Sequence, residues 1–188
     1  MEANQPHITK LLERCKSQDK NAQLALYKRY YNAMYNTSYR ILKDAFEAED
    51  VMQEAFLTAF TKIQMYKGEV TFGAWLKRIV INKSLTQLKK NSRYLEVKME
   101  VIPNDNEQEE TIEYTELKAE TVLNCLQNLK ENYRLVLNLH LVEGYDYEEI
   151  AQILNYTNEN VRTTVSRAKK KLKQILLAKN TQTQAYER

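Results

Sequence analysis

The chain has 188 residues, of which 43% are hydrophobic and 28% are charged, and it carries only three glycines and two prolines. This length allows one or two modest hydrophobic cores, and the scarcity of helix breakers predicts an all-α fold. Since no apolar run is long enough to span a bilayer and no signal-peptide pattern opens the chain, we expect a cytoplasmic protein without membrane insertion.

The charge is unevenly distributed, although the net charge is only +3. Residues 1 to 93 carry 16 Lys and Arg against 9 Asp and Glu, and residues 121 to 188 carry 10 against 7. Between them, residues 94 to 120 carry 2 against 9. Two basic blocks therefore flank an acidic one, so the small net charge does not argue against a nucleic-acid partner.

Cysteine and histidine are too scattered to form a recognisable site. Cys15 and Cys125 lie far apart without a CxxC pair, which argues against a zinc site and against a structural disulfide. His7 and His140 lack an acidic, serine or cysteine partner at a recognisable spacing, so an ordinary surface or core role is expected. We therefore expect no catalytic residues, no bound metal and no cofactor.

The first half of the chain predicts three helical segments. Residues 8 to 43 form one or two helices, whose apolar face is expected in the core. That face consists of Leu24, Tyr27, Tyr31, Met34, Tyr35, Tyr39 and Leu42. Residues 47 to 65 form an amphipathic helix, and residues 71 to 93 form another after a short loop at residues 66 to 70.

Two faces of the helix at residues 47 to 65 can be distinguished by spacing. The buried stripe is predicted to contain Val51, Ala55, Phe56, Ala59, Phe60 and Ile63. Asp50, Gln53, Glu54 and Leu57 share another face. The two carboxylates have no partner that would perturb them, so a solvated or partner-binding face is a better interpretation than catalysis.

The helix at residues 71 to 93 mixes aromatic and basic side chains. Rings with interleaved cations are typical of single-stranded DNA binding, because bases stack on the rings and phosphates pair with the cations. The simpler interpretation, which we favour for Trp75, is that the rings pack in the core. Residues 94 to 120 then form an acidic, irregular linker around Pro103, which divides the chain into domains at residues 1 to 93 and 121 to 188.

The second domain is predicted to contain about four helices, the last two forming a helix-turn-helix at residues 146 to 173. Asp146 and Glu149 have the spacing of a capping box, Asn155 tolerates the left-handed turn, and Thr157 caps the last helix. Val161, Val165, Ala168 and Leu172 line its apolar face. The opposite, basic face suits the DNA major groove, although it is also compatible with an ordinary solvated helix.

Together these motifs resemble those of the extracytoplasmic-function (ECF) RNA polymerase sigma factors of the sigma-70 superfamily. The likeness rests on DxxQEAF from Asp50, on FxxWLxRI from Phe72 and on the helix-turn-helix, in that order along the chain. The resemblance implies two helical domains, sigma regions 2 and 4. It also implies three partners: core RNA polymerase, promoter DNA and an anti-sigma factor. The contacts with core polymerase would be made to the clamp helices of the largest subunit and to the beta flap.

The resemblance also assigns residues to three contacts. Core polymerase would be bound by Asp50, Gln53 and Glu54. The −10 element would be melted and read by Lys67, Thr71, Arg78, Asn82 and Lys83, with Asn82 shaping the pocket for a flipped base and residues 66 to 71 closing over it. The −35 duplex would be read by Thr157, Asn160, Arg162, Thr163, Thr164, Ser166, Arg167 and Lys170.

Two positions depart from the family pattern, and two other functions compete with this one. Thr164 stands where the family often has a basic residue, which leaves the −35 sequence open but not the fold, and Asn155 stands where the family often has glycine. A free-standing activator or repressor would share the helix-turn-helix but not the two upstream motifs. A signalling adaptor that mimics a sigma factor would lack the basic and aromatic DNA residues, which this chain keeps.

Overall fold

The structure is a computed structural model that describes residues 5–91 and 119–186, with side chains from 8 to 91 and from 119 to 179. It divides into two compact units, residues 1–95 and 96–188. The predicted linker lies outside the described residues except for its last two positions, which open a helix at Ala119. Within the described ranges every element is helical, which confirms the all-α prediction, and no helix there has the length and apolarity to cross a membrane.

The described residues of the first unit form four helices. They are α1 (Gln5–Lys16), α2 (Lys20–Leu42), α3 (Ala45–Thr61) and α4 (Phe72–Lys90), with a 3-10 turn at Ile63–Met65. The side chains of Asp19, Asp44 and Thr71 accept hydrogen bonds from backbone amides at the starts of α2, α3 and α4. Lys43 has a φ of 59° and ends α2, so α3 can fold back against it.

The core of the first unit lies where α2, α3 and α4 pack against one another, and α1 packs on α2. It is filled by Leu26, Met34, Met52, Phe56, Phe72, Leu76 and Val80. Ser38 and Ser84, both buried, share a hydrogen bond of 3.0 Å that joins α2 to α4. The stripe predicted for the helix at residues 47 to 65 is confirmed, because five of its six members are buried and the sixth, Phe60, is half-buried against the core. Trp75 also packs against this core, as expected.

The prediction for the apolar face of α2 was partly wrong. Met34 and Leu42 are buried and three tyrosines pack against the core, but Leu24 is 50% exposed and Tyr39 is 41% exposed. The rings of Tyr31, Tyr35 and Tyr39 also stack on one another along α2, with centroids 6.3 and 6.0 Å apart. The buried face of α2 runs through Ala22, Leu26, Ser38 and Ile41 to both ends of the helix, so it is rotated relative to the predicted stripe, and Leu24 and Tyr39 turn away from it.

The second unit contains α5 (Ala119–Gln127), α6 (Glu131–Leu137), α7 (Tyr147–Leu154) and α8 (Asn158–Tyr186). Helix α6 continues into a π-helical turn at Asn138–Val142, and Gly144 follows with a φ of 81°. Helices α5, α6 and α7 each pack against α8. Their core includes Leu126, Leu135, Leu137, Leu139, Ile150 and Leu154.

The capping box of α7 predicts a measurable effect on stability. Asp146→Ala removes an N-cap acceptor, which typically costs about 1 kcal/mol. We expect the second unit to unfold at lower denaturant concentration when followed by circular dichroism. Trp75 is the only tryptophan and lies in the first unit, so the transition in its fluorescence should be unchanged. A shift of both transitions together would show that the capping box does not act locally.

Candidate functional site

The helix-turn-helix has the local geometry that its capping residues predict. The Glu149 amide donates to Asp146 Oδ1 at 2.8 Å, and the Asp146 amide donates to Glu149 Oε2 at 3.0 Å, which completes the capping box. Asn155 ends α7 in the left-handed conformation, with φ 58° and ψ 46°. Thr157 Oγ1 then accepts from the Asn160 amide at 3.2 Å. The predicted caps are therefore confirmed, and the hydroxyl of Thr157, a predicted −35 residue, is already used in capping.

One predicted −35 residue lies on the wrong side of α8. Val161, Val165, Ala168 and Leu172 are buried as predicted, but Thr164 is also buried, with 4% of its surface exposed. Thr164 follows Val161 by three residues and precedes Ala168 by four, so the helical period places it on the core face. A short side chain there does not reach a DNA groove, and the assignment of Thr164 to base reading is withdrawn.

The remaining −35 candidates divide by exposure. Arg162, Ser166 and Lys170 are exposed at steps of four along α8, so they form one continuous stripe. Asn160, Thr163 and Arg167 are half-buried beside it. The stripe therefore places one guanidinium, one hydroxyl and one ammonium group along about 12 Å of helix axis, a set of donors suited to base edges and phosphates.

Two residues that the sequence motifs did not single out contact Arg162. Its Nε donates to Asn158 Oδ1 at 3.1 Å, and its guanidinium carbon lies 5.9 Å from the ring centroid of Tyr147. The Tyr147 ring packs on His140 with centroids 4.9 Å apart, so His140 has an ordinary packing role. The i, i+4 spacing of Asn158 and Arg162 was visible in the sequence, whereas the contact from Tyr147 on α7 was not.

The loop before α4 borders a cavity of about 620 Å³ that is also lined by α1 and by Tyr30 of α2. Tyr66 Oη donates to the Val70 carbonyl at 2.6 Å, which braces the loop, and burial raises the pKa of the Tyr66 phenol so that it keeps this proton. Lys67 and Thr71 line the cavity. A Cβ at Gly73 would lie 2.9 Å from the Tyr30 ring, so this close packing requires glycine.

The other −10 candidates lie further along α4. Asn82 is exposed, and Arg78 and Lys83 are half-buried. Asn82 stands ten residues after Phe72, which corresponds to about 15 Å along the helix axis. Lys67 and Thr71 therefore lie together at the loop cavity. Asn82 lies well away from this cavity, because Phe72, which lines it, is separated from Asn82 by this length of α4.

The candidate polymerase-binding face of α3 is exposed and partly apolar. Asp50, Gln53 and Glu54 are all exposed, and Gln53 Nε2 donates to Glu49 Oε1 at 3.3 Å. Phe46 is 84% exposed and Leu57 is 68% exposed. Phe46, Asp50, Gln53 and Leu57 follow one another at steps of four, three and four, so they form one stripe. Phe46 was missed because it precedes the predicted helix start.

Glu54 also pairs with a residue assigned to another contact. Its Oε2 lies 3.1 Å from Lys83 Nζ, which joins α3 to α4 at the surface. The family resemblance assigns Glu54 to polymerase and Lys83 to −10 DNA. Because the Glu54 side chain is 66% exposed, the pair contributes little to stability and is open to exchange with other partners.

Comparison with known families and proteins identifies both units. The family model for sigma-70 region 2 matches residues 26–94, which include most of α2 and all of α3 and α4. The model for sigma-70 region 4 matches residues 119–172, from α5 into α8. The chain is 31% identical over 179 residues to the RNA polymerase sigma-H factor of Pseudomonas aeruginosa, which covers 88% of this chain and 92% of the relative. The chain belongs to the sigma-70 family.

Other relatives of this sigma factor place it in the ECF group. It is 27% identical over 181 residues to the ECF RNA polymerase sigma factor SigW of Bacillus subtilis, covering 90% of this chain and 96% of SigW. A likeness in fold extends to the sigma factor RpoE of Bartonella quintana, solved with the anti-sigma factor NepR. That match has a TM-score of 0.55 at 21% identity and covers 81% of this chain and 94% of that chain. All the surviving candidate residues lie inside the two matched regions.

Proposed function

We propose that this ECF sigma factor binds core RNA polymerase and directs initiation at promoters that it recognises through two separate contacts. Helix α8 reads the −35 element as duplex, and the loop and helix α4 open and read the −10 element. The observation that carries this proposal is the exposed stripe of Arg162, Ser166 and Lys170 on the second helix of a capped helix-turn-helix. Arginine is suited to guanine and lysine to phosphate, so one face supplies both specificity and affinity.

The polymerase contact is assigned to α3 for a chemical reason. Its stripe combines a carboxylate and an amide with two apolar side chains, Phe46 and Leu57, that are unusually exposed for their size. Exposed apolar groups that lie beside fixed charges are typical of partner surfaces. Asp50, Gln53 and Glu54 then select a basic partner, which by family resemblance is the clamp-helix segment of the largest subunit, while region 4 meets the beta flap.

An anti-sigma factor is the third proposed partner. The structural neighbour from Bartonella quintana was solved with such a protein. A free sigma factor competes for a limited pool of core enzyme, so a protein that covers α3 or α8 would control it. Binding of such a protein and of core polymerase should be mutually exclusive in a competition titration.

Transcription with purified components tests the proposed function. Core polymerase plus this protein should produce specific transcripts from a promoter library, whereas core polymerase alone should not. A free-standing activator would instead bind DNA sequence-specifically without core enzyme and would require another sigma factor to initiate. An adaptor would bind a regulatory protein and yield no transcripts, and either result would contradict the proposal.

Asn82 provides a separate test of the −10 contact. Asn82→Ala should leave −35 binding unchanged and impair promoter opening, because the amide would no longer stabilise an extruded base whose unstacking costs a few kcal/mol. Permanganate reactivity of thymines in the bubble measures the opening. Asn36→Ala is the matched control, since Asn36 is also an exposed helical asparagine in the first unit. Equal opening by Asn82→Ala and Asn36→Ala would return Asn82 to an ordinary surface role.

A further inference from the structure

Arg162 is held from two directions by side chains of the protein itself. Its Nε donates to Asn158 Oδ1 at 3.1 Å within α8, and its guanidinium lies over the ring of Tyr147, which belongs to α7. A free arginine side chain has about 2 kcal/mol of rotamer entropy, which is lost when the side chain binds in a single geometry. Contacts that restrict the side chain in advance reduce that loss.

The hydrogen bond to Asn158 uses Arg162 Nε, so the terminal edge of the guanidinium takes no part in it. Guanine presents two acceptors in the major groove, O6 and N7, and a pair of parallel N–H donors recognises them. Because Asn158 bonds to Nε, the two terminal Nη nitrogens are the pair that remains suited to this contact. The acceptor on Asn158 therefore selects one orientation of the donor fork.

Tyr147 makes a second contact with the same guanidinium. A guanidinium over an aromatic ring is attracted by the negative face of the ring. Tyr147 is itself held by His140, whose ring centroid is 4.9 Å away, while His140 Nδ1 lies 3.1 Å from the Tyr145 carbonyl oxygen. On the other side of that imidazole, Lys169 Nζ lies 3.5 Å from Nε2. These contacts connect the turn before α7 to both ends of the DNA-reading part of α8.

We propose that Asn158 and Tyr147 are positioning residues that orient Arg162 toward a guanine of the −35 element. The base preference at one position of the promoter then depends on Asn158 and Tyr147, because they hold the side chain of Arg162 in place. This proposal rests on the proposed function, in which Arg162 reads that base. The opposite effect is physically distinct: if Asn158 held Arg162 away from DNA, its removal would strengthen recognition.

The test uses the full-length protein with core polymerase and a library randomised at the −35 element. Asn158→Ala should lower the preference for guanine at the Arg162 position by about three- to tenfold, because one hydrogen bond to a charged group is lost. Asn158→Asp keeps the acceptor oxygen and should retain the preference, although its charge lowers affinity for all sequences. Tyr147→Leu should lower the preference by about two- to fivefold, whereas Tyr147→Phe should retain it.

Two controls separate positioning from a general loss of structure. Asn128→Ala removes another exposed asparagine of the second unit and should leave the preference unchanged. In an Arg162→Ala background, Asn158→Ala and Tyr147→Leu should have no further effect on that base. A loss that is equal for all −35 sequences, or that persists without Arg162, would show a structural role only and would overturn the proposal.

The outcome also distinguishes this proposal from the function on which it rests. If Arg162→Ala leaves every base preference unchanged, Arg162 does not read a base. The proposal that Asn158 and Tyr147 position it for reading is then wrong as well. If Arg162→Ala changes one preference but Asn158→Ala does not, only the positioning role is overturned. A stronger guanine preference in Asn158→Ala would show that Asn158 restrains Arg162 instead of presenting it.

Discussion

Replacing Asp50 and Glu54 together by lysine should abolish association with core polymerase while the protein stays folded. Both side chains are exposed on α3, so their replacement leaves no buried charge and the free energy of unfolding should change little. Reversing two charges at an interface places like charges opposite each other, which costs several kcal/mol. We therefore expect affinity to fall at least about 100-fold, as measured by titration of labelled protein with core enzyme.

A matched variant controls for the change in net charge. Glu13 and Glu69 are also exposed carboxylates of the first unit, and replacing both by lysine changes the charge by the same amount. That variant should bind core polymerase as the parent does, and both variants should retain the parent's helical circular dichroism. Equal losses in the two variants would indicate a general electrostatic effect and would remove the assignment of α3 as the polymerase face. Phe46→Ser should weaken binding as well, because Phe46 lies on the same stripe.

The second large effect is expected in the recognition helix. Arg162→Ala should cost about 1–3 kcal/mol at the cognate promoter if the side chain bonds to guanine, and preference should relax at one −35 position. Arg167→Ala should have a similar effect at another position. Lys170→Ala should weaken binding to all sequences alike and reduce the slope of log affinity against log salt by about one, because one phosphate contact is lost.

The measurement is a −35 library read with holoenzyme at several salt concentrations. This measurement separates residues that read bases from residues that bind phosphate. Loss of a base contact changes which bases are preferred, whereas loss of a phosphate contact changes the salt slope. Thr164→Ser provides an internal check, because Thr164 is buried and a smaller side chain there should leave the base preferences unaltered. Unchanged preferences in both arginine variants would mean that the wrong residues have been assigned to reading.

Features that depend on neighbours along the chain could be predicted from the amino-acid sequence. The helical period alone predicts which residues share a face, and the four residues that it placed on the core face of α8 are buried. They are Val161, Val165, Ala168 and Leu172. Capping depends on side chains within three residues of a helix end, and Asp146, Asn155 and Thr157 act as their types and positions predict. The domain motifs are likewise local, so their order along the chain was enough to indicate the family.

Only helix packing decides which residues lie under another helix and which face solvent. Leu24 and Tyr39 were placed on the apolar face of α2 but are exposed, because the face that the other helices cover runs through Ala22, Leu26 and Ile41 instead. The pairing of Glu54 with Lys83 joins residues 29 positions apart, and Tyr147 meets Arg162 across the helix-turn-helix. Such contacts depend on how helices cross, a property that local periodicity does not encode. The contact of Tyr147 with Arg162 is therefore a property of the tertiary structure, whereas the faces and caps of the two helices follow from the sequence.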